Sequence, residues 1–200
     1  MSGRLGILLS GRGSNFLAIH RCIEEGALPA VIACVVSDVA IAPGLEKARA
    51  LGIPAFFVDP AGRKKAEYEK EVAECLEARA VDLVCLAGYM RLLGPAFVRR
   101  FPWRILNIHP ALLPSFPGLH AQRQALERGV KFSGCTVHFV DEGMDSGPIV
   151  AQAIVPVQDS DTEETLADRI LIEEHRLYAE AIRMVLSGSY LVEGKRVVRK

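Results

Sequence analysis

Leu5-Gly6-Ile7-Leu8-Leu9-Ser10-Gly11-Arg12-Gly13-Ser14-Asn15 is the stretch from which the architecture of this chain is read. The apolar run 5–10 has the length of a buried strand, and residues 15–25 carry a helical pattern. Glycines at the turn between them let backbone approach a ligand, and a helix N-terminus offers unpaired N–H groups to a phosphate. Ser14 and Asn15 are also good N-caps, so an ordinary capped turn accounts for the same residues.

Outward from this unit the alternation repeats. Strands are expected at 30–37, 55–58 and 82–87, with helices at 44–51 and 63–78 between them. Repeated βαβ units imply a parallel sheet covered by helices on both faces. After Gly88 come a helix at 95–100, a strand at 104–109, a Pro- and Gly-punctuated loop at 110–118 and a helix at 120–128. Strands at 133–140 and 148–155 lie close in sequence and suggest an antiparallel addition, and 190–198 suggests a final short hairpin. The fold class is therefore α/β: a Rossmann-like, doubly wound, mostly parallel sheet with an antiparallel addition in the C-terminal half. One domain over 1–200 is expected.

A long helix opens at Asp161-Thr162-Glu163-Glu164, which reads as a capping box with a carboxylate at its third position, and runs to about 186. Leu166, Ile170, Leu171, Leu177, Tyr178, Ala181, Ile182 and Val185 form its apolar stripe. Glu174 interrupts that stripe, and a carboxylate there is either partnered or facing a cleft, because burying it alone is costly.

Composition narrows the function. Lys+Arg and Asp+Glu balance at 24 each, so no global field points to nucleic acid or an anionic membrane, and any anionic ligand is held by local groups. Five scattered cysteines (Cys22, Cys34, Cys75, Cys85, Cys135) include no C-x-x-C pair and read as free thiols, several of them buried. The apolar run 6–9 is too short for a signal or a membrane span, so a cytoplasmic protein is expected.

The chemistry concentrates in Asn107-Ile108-His109-Pro110 and in Asp145, 36 residues after the histidine. Residues two apart in a strand share a face, so Asn107 and His109 project together at the carboxyl end of a sheet strand, where such folds bind ligands. An amide donor, a titratable ring and a carboxylate that favours the charged ring suit the stabilisation of an oxyanion. Against this stand a structural histidine at a strand end and an Asx turn at Asp145. Elsewhere Phe16 replaces the last glycine of a dinucleotide fingerprint, although Asp38 follows the second strand where such folds place a ribose-binding acid. No G-K-[ST], G-x-S-x-G or H-E-x-x-H is present, which argues against a P-loop, a serine hydrolase and a zinc site built on His109, His120, His138 and His175.

These residues resemble the phosphoribosylglycinamide (glycinamide ribonucleotide) formyltransferase family, folate-dependent enzymes of purine synthesis. The resemblance is carried by Ser10-Gly11-Arg12-Gly13-Ser14-Asn15, Leu86-Ala87-Gly88-Tyr89-Met90-Arg91-Leu92-Leu93, Leu106-Asn107-Ile108-His109-Pro110 and Leu113-Pro114-Ser115-Phe116-Pro117-Gly118-Leu119-His120. It continues through Gly134-Cys135-Thr136-Val137-His138-Phe139-Val140-Asp141-Glu142 and Asp145-Ser146-Gly147-Pro148.

What the resemblance implies is specific. Residues of about 1–100 would form a mononucleotide half and about 101–200 a folate-binding and catalytic half. Gly13, Ser14, Asn15 and Glu174 would bind the ribonucleotide. Met90, Arg91, Leu92 and Leu93 would contact the pterin of 10-formyltetrahydrofolate, with Asn107, Val140, Asp141 and Asp145 along the folate site and Lys65, or its neighbour Lys64, as a basic contact. Asn107, His109 and Asp145 would be catalytic, with Asp145 keeping His109 protonated. The formyl donor would be a co-substrate, with no metal; the partners would be small molecules, with a homodimer left open. Ala111, where many relatives have Ser, and Arg12 depart from the family pattern without removing a catalytic group.

Competing readings are two relatives and one regulator. Methionyl-tRNA formyltransferases carry a further C-terminal domain and formyltetrahydrofolate deformylases a further N-terminal one, neither of which this sequence is expected to contain. A nucleotide-binding regulator using Gly11, Gly13 and Asp38 would leave Asn107, His109 and Asp145 idle.

Overall fold

The structure, a computed structural model, describes residues 2–200. The chain divides into two compact units, the first ending at Leu106 and the second spanning Asn107–Lys200.

In the first unit, β1 (Gly3–Leu9), β2 (Ala30–Ser37), β3 (Ala55–Phe57) and β4 (Leu83–Leu86) lie in the order β3-β2-β1-β4 with parallel pairing. The helices are α1 (Ser14–Glu24), α2 (Pro43–Ala50), α3 (Lys65–Glu77) and α4 (Pro95–Arg100). β1 is buried from Leu5 to Leu9, as its unbroken apolar run requires of a strand covered on both faces. Proline opens α2 and α4 at a position whose N–H would be unpaired in any case.

The second unit contains β5 (Ile105–His109, which begins two residues before the division), β6 (Phe132–Phe139), β7 (Ile149–Pro156), β8 (Tyr190–Glu193) and β9 (Arg196–Arg199), in the order β5-β6-β7-β9-β8. β6 pairs antiparallel with β7, β8 antiparallel with β9, and β9 parallel with β7. The expected antiparallel addition and final hairpin are thus both present in a mixed sheet. The helices are α5 (Ala121–Glu127) and α6 (Glu163–Ser187).

The start of α6 differs from expectation by one residue. Thr162, not Asp161, is the N-cap; its hydroxyl accepts from the Thr165 N–H, while the Thr165 hydroxyl accepts from the Thr162 N–H. Asp161 instead takes a bidentate pair from Arg169, which holds its carboxyl well below the usual range. Of the expected stripe on α6 all but Leu171 are buried, with Glu174 buried among them. Among the described residues no helix is long and apolar enough to cross a membrane, and no group of three or more His, Cys, Asp or Glu side chains is placed to hold a metal.

Candidate active site

The turn after β1 is shaped by Gly13, whose φ of 72° is a left-handed conformation that glycine adopts without steric cost. Its backbone carbonyl accepts the first helical hydrogen bond from Leu17. Gly13 is therefore the N-cap, and no side chain caps α1; neither Ser14 nor Asn15 acts as the ordinary cap that their residue types allow. With no acidic residue in its first turn, the α1 N-terminus retains the polarity that favours an anion. The loop is braced by Gly44 N–H donating to Gly11 O and by Lys47 Nζ donating to Arg12 O.

Asp38, the residue placed where such folds have a ribose-binding acid, is engaged by its own neighbours. Its Oδ1 accepts from Ser10 Oγ at 2.6 Å, its Oδ2 lies 4.0 Å from Arg91, and Ser10 Oγ in turn accepts from the Met90 N–H. The carboxylate thus helps to fix residues 90–91. Met90, Arg91 and Leu92 are exposed and Leu93 half-buried, while Arg91 lies over the Tyr68 ring. Lys65 opens α3 as an exposed cation 3.7 Å from Glu69, and Lys64 is its N-cap residue.

In the second unit, strand alternation puts Asn107 and His109 on one face of β5, and both reach the same carboxylate. Asp145 Oδ2 lies 3.4 Å from His109 Nδ1, and Oδ1 lies 3.5 Å from Asn107 Nδ2. Asp145 Oδ2 also accepts from the Gly118 N–H at 2.8 Å. The carboxylate therefore points out of its own loop, and the Asx-turn reading does not describe it. That reading belongs to Asp141, whose Oδ1 accepts from Gly143 N–H and Ser146 Oγ, while Lys195 Nζ donates to Asp141 Oδ2 and Ser146 O. Burial opposes the charge on Asp141, but Lys195 and Ser146 outweigh it and hold the carboxyl below its ordinary value.

His109 is 4% exposed, and its Nε2 lies 2.8 Å from the Phe116 carbonyl. A carbonyl can only accept, so Nε2 carries a hydrogen and Nδ1 faces Asp145. Burial lowers the His109 pKa and is the largest influence; the Phe116 carbonyl and Asp145 raise it, and His138 lowers it further. The net direction is downward: Asp145 favours the charged ring as expected, but its pull is smaller than the desolvation of a ring buried at the strand end. Asp145 itself is held below its ordinary value despite its burial, through His138, the Gly118 N–H and His109.

His138, considered from the sequence only as a zinc ligand, stands in this cluster. Its Nδ1 donates to Phe139 O at 2.9 Å, which leaves Nε2 to accept from Asn107 Nδ2 at 3.2 Å. Thr136, two residues earlier on β6, fixes the backbone after His109 by accepting from Leu113 N–H and donating to Ala111 O. Thr136 and His138 at spacing two, interleaved with the apolar Cys135, Val137 and Phe139, were the available signal. Glu174 on α6 lies near Cys135, whose thiol is pushed up to about 12 by burial and then by that carboxylate.

Residues 4–182 match the family model described as formyl transferase. The chain belongs to the formyl transferase family. Its structure superposes on glycinamide ribonucleotide transformylase 1 from Symbiobacterium toebii with a TM-score of 0.97 and 54% identity, covering 99% of this chain and 94% of that one. It is 43% identical to the phosphoribosylglycinamide formyltransferase of Bacillus subtilis over 92% of this chain and 94% of that protein. It is also 44% identical to the trifunctional purine biosynthetic protein adenosine-3 of Drosophila melanogaster, of whose length it spans 14%. The family's shared block therefore extends from the first strand almost to the end of α6, and the β8–β9 hairpin carrying Lys195 lies beyond it.

Proposed function

We propose that this formyl transferase moves the formyl group of 10-formyltetrahydrofolate to the glycyl amine of N1-(5-phosphoribosyl)glycinamide. The products are the N-formyl ribonucleotide and tetrahydrofolate, a step of de novo purine biosynthesis. The observation that carries this reading is Asp145 reaching both Asn107 and His109 from a distant loop. The names of the relatives, which cover nearly the whole chain, supply the acceptor, and the folate donor rests on the sequence resemblance.

In the mechanism, the neutral amine attacks the formyl carbon directly and gives a tetrahedral intermediate without a covalent enzyme adduct. The uncapped α1 N-terminus at Gly13, Ser14 and Asn15, together with Glu174, binds the ribonucleotide. Met90–Leu93 and the loop from Val140 to Asp145 bind the folate, with Lys65 as a basic contact. Asn107 places its amide hydrogens toward His138 Nε2 and Asp145 Oδ1, and the longer second contact is the one a developing oxyanion displaces.

His109 starts neutral. A proton leaving the amine, directly or through water, is taken at Nδ1, where the imidazolium forms against Asp145 at 3.4 Å. The charged ring then stabilises the oxyanion and returns the proton to the departing folate nitrogen. Asp145 thus acts on the charge as it develops.

The test is folate release from 10-formyltetrahydrofolate, followed with and without the ribonucleotide. Release only when both are present, with formyl recovered on the glycyl nitrogen, supports the reading. Equal release to water without the ribonucleotide would make the chain a deformylase, and binding without turnover would make it a regulator.

A further inference from the structure

Cys34 on β2 and Cys75 on α3 were only free thiols in the sequence, 41 residues apart; the fold makes them neighbours. Cys34 is the register partner of Gly6 on β1, and a Cβ on Gly6 would lie 2.5 Å from Leu76 Cδ2. The missing side chain lets α3 settle closely on the sheet at this level. Leu76 above Gly6 on β1 and Arg79 above Phe56 on β3 bracket Cys75 over β2, on the sheet face that carries Cys34.

A guanidinium stands beside Cys75, with the Glu71 carboxylate acting against it. Arg79 Nη1 donates to Cys75 O at 2.9 Å and approaches Cys75 Sγ at 3.5 Å, while the guanidinium stacks 3.8 Å over the Phe56 ring. Two anchors hold this cation beside the sulfur. Cys34 is fully buried and Cys75 half-buried, so Cys75 is the more accessible of the two. Reactive cysteines occupy such electropositive, partly exposed positions next to a second thiol.

We propose that Cys75 and Cys34 form a hydroperoxide-responsive dithiol that closes to a disulfide tying α3 to β2. Cys75 is the attacking sulfur and Cys34 the resolving one. The Cys75 thiolate attacks a peroxide oxygen; the S–O bond forms, the O–O bond breaks, and the departing oxygen takes a proton to leave as water or an alcohol. The Cys34 sulfur then attacks the Cys75 sulfenic sulfur, forming the S–S bond and breaking the S–O bond, and the hydroxide leaves as water with the Cys34 proton. Two thiols lose two electrons and one hydroperoxide gains them. The interaction with Cys34, reinforced by Arg79 and opposed by burial and by the Glu71 carboxylate, brings the Cys75 thiol down to about 7, while the Cys34 thiol is pushed far up. That division of roles is the one the chemistry needs.

The experiment treats the folded full-length chain with hydrogen peroxide, blocks remaining thiols by alkylation, and measures intact mass and a non-reducing digest. The expected result is a species lighter by two hydrogens before alkylation, a linked peptide pair containing Cys34 and Cys75, and reversal by dithiothreitol. Cys34→Ser is expected to retain a Cys75 sulfenic acid captured by dimedone, and Cys75→Ser to show neither adduct nor link. Cys34 and Cys75 both recovered as alkylated thiols after peroxide, or disulfides distributed indiscriminately over Cys22 and the rest, would overturn the proposal. The wild-type measurement decides this even if a variant fails to fold.

Discussion

Gly147→Ala perturbs the candidate site from a residue with no chemistry of its own. A Cβ at Gly147 would overlap the Phe139 carbonyl oxygen and lie 2.8 Å from the Phe139 carbonyl carbon and 3.3 Å from the Asp141 nitrogen. Carbon atoms pack at about 3.5–4.0 Å, so relieving the carbon contact alone requires the two backbone segments to part by about 0.7–1.2 Å, and clearing the oxygen requires more. Both are backbone and neither has a rotamer to yield. The displaced segment begins two residues after Asp145, whose Oδ2 sits 3.4 Å from His109 Nδ1. A shift of that size carries the pair beyond ion-pair distance, and a misplacement of about 1 Å costs roughly a hundredfold in rate. Overpacking of this kind costs about 1–3 kcal/mol of stability, so the variant is expected to fold and to melt earlier. Steady-state turnover with 10-formyltetrahydrofolate and the ribonucleotide, beside a thermal melt, measures both. A folded variant with turnover within threefold of the parent would refute the argument that the Phe139–Gly147 backbone contact sets the position of Asp145.

Further outcomes follow from the same cluster. Asn107→Ala and His109→Ala are each expected to lower kcat by at least about a hundredfold, the cost of one oxyanion donor, in the same turnover assay. Asp145→Asn is expected to lower the His109 pKa further, because the carboxylate raises it, whereas His138→Gln is expected to raise it; NMR titration of the ring protons reads both signs. Because folding lowers the His109 pKa below its unfolded value of about 6.5, its contribution to stability is present above that pH and lost as pH falls through the folded value. Denaturant melts at several pH values should show that slope shrink in His109→Gln. Lys195→Met is expected to cost at most about 1 kcal/mol of stability, since Lys195 is exposed, yet to raise the KM for the folate by loosening Asp141 and Ser146. An unchanged KM would reduce Lys195 to a surface contact.

Much of the fold was legible because its signals are short-range. β2 is found over the residues its apolar run marked, and α4 between the Pro95 and Arg100 that bracket its pattern. Asn107 and His109 share a face because strand side chains alternate, a property of φ and ψ that needs no tertiary information. The capping box of α6 slipped by one residue because Asp161 and Thr162 are both competent caps, and Arg169, a distant partner, took the aspartate.

By itself the sequence determined the alternation of strands and helices, the glycine turn before α1 and the pairing of an amide with an imidazole at one strand end. Each follows from periodicity or backbone sterics within a few residues. The tertiary structure decided the rest: that Asp145 leaves its loop while Asp141 forms the turn, that His138 joins Asn107, that Cys34 meets Cys75, and that burial lowers the His109 pKa. Those depend on which groups long-range packing brings within a few ångströms, and on desolvation, which exists only once the chain has closed around the ring.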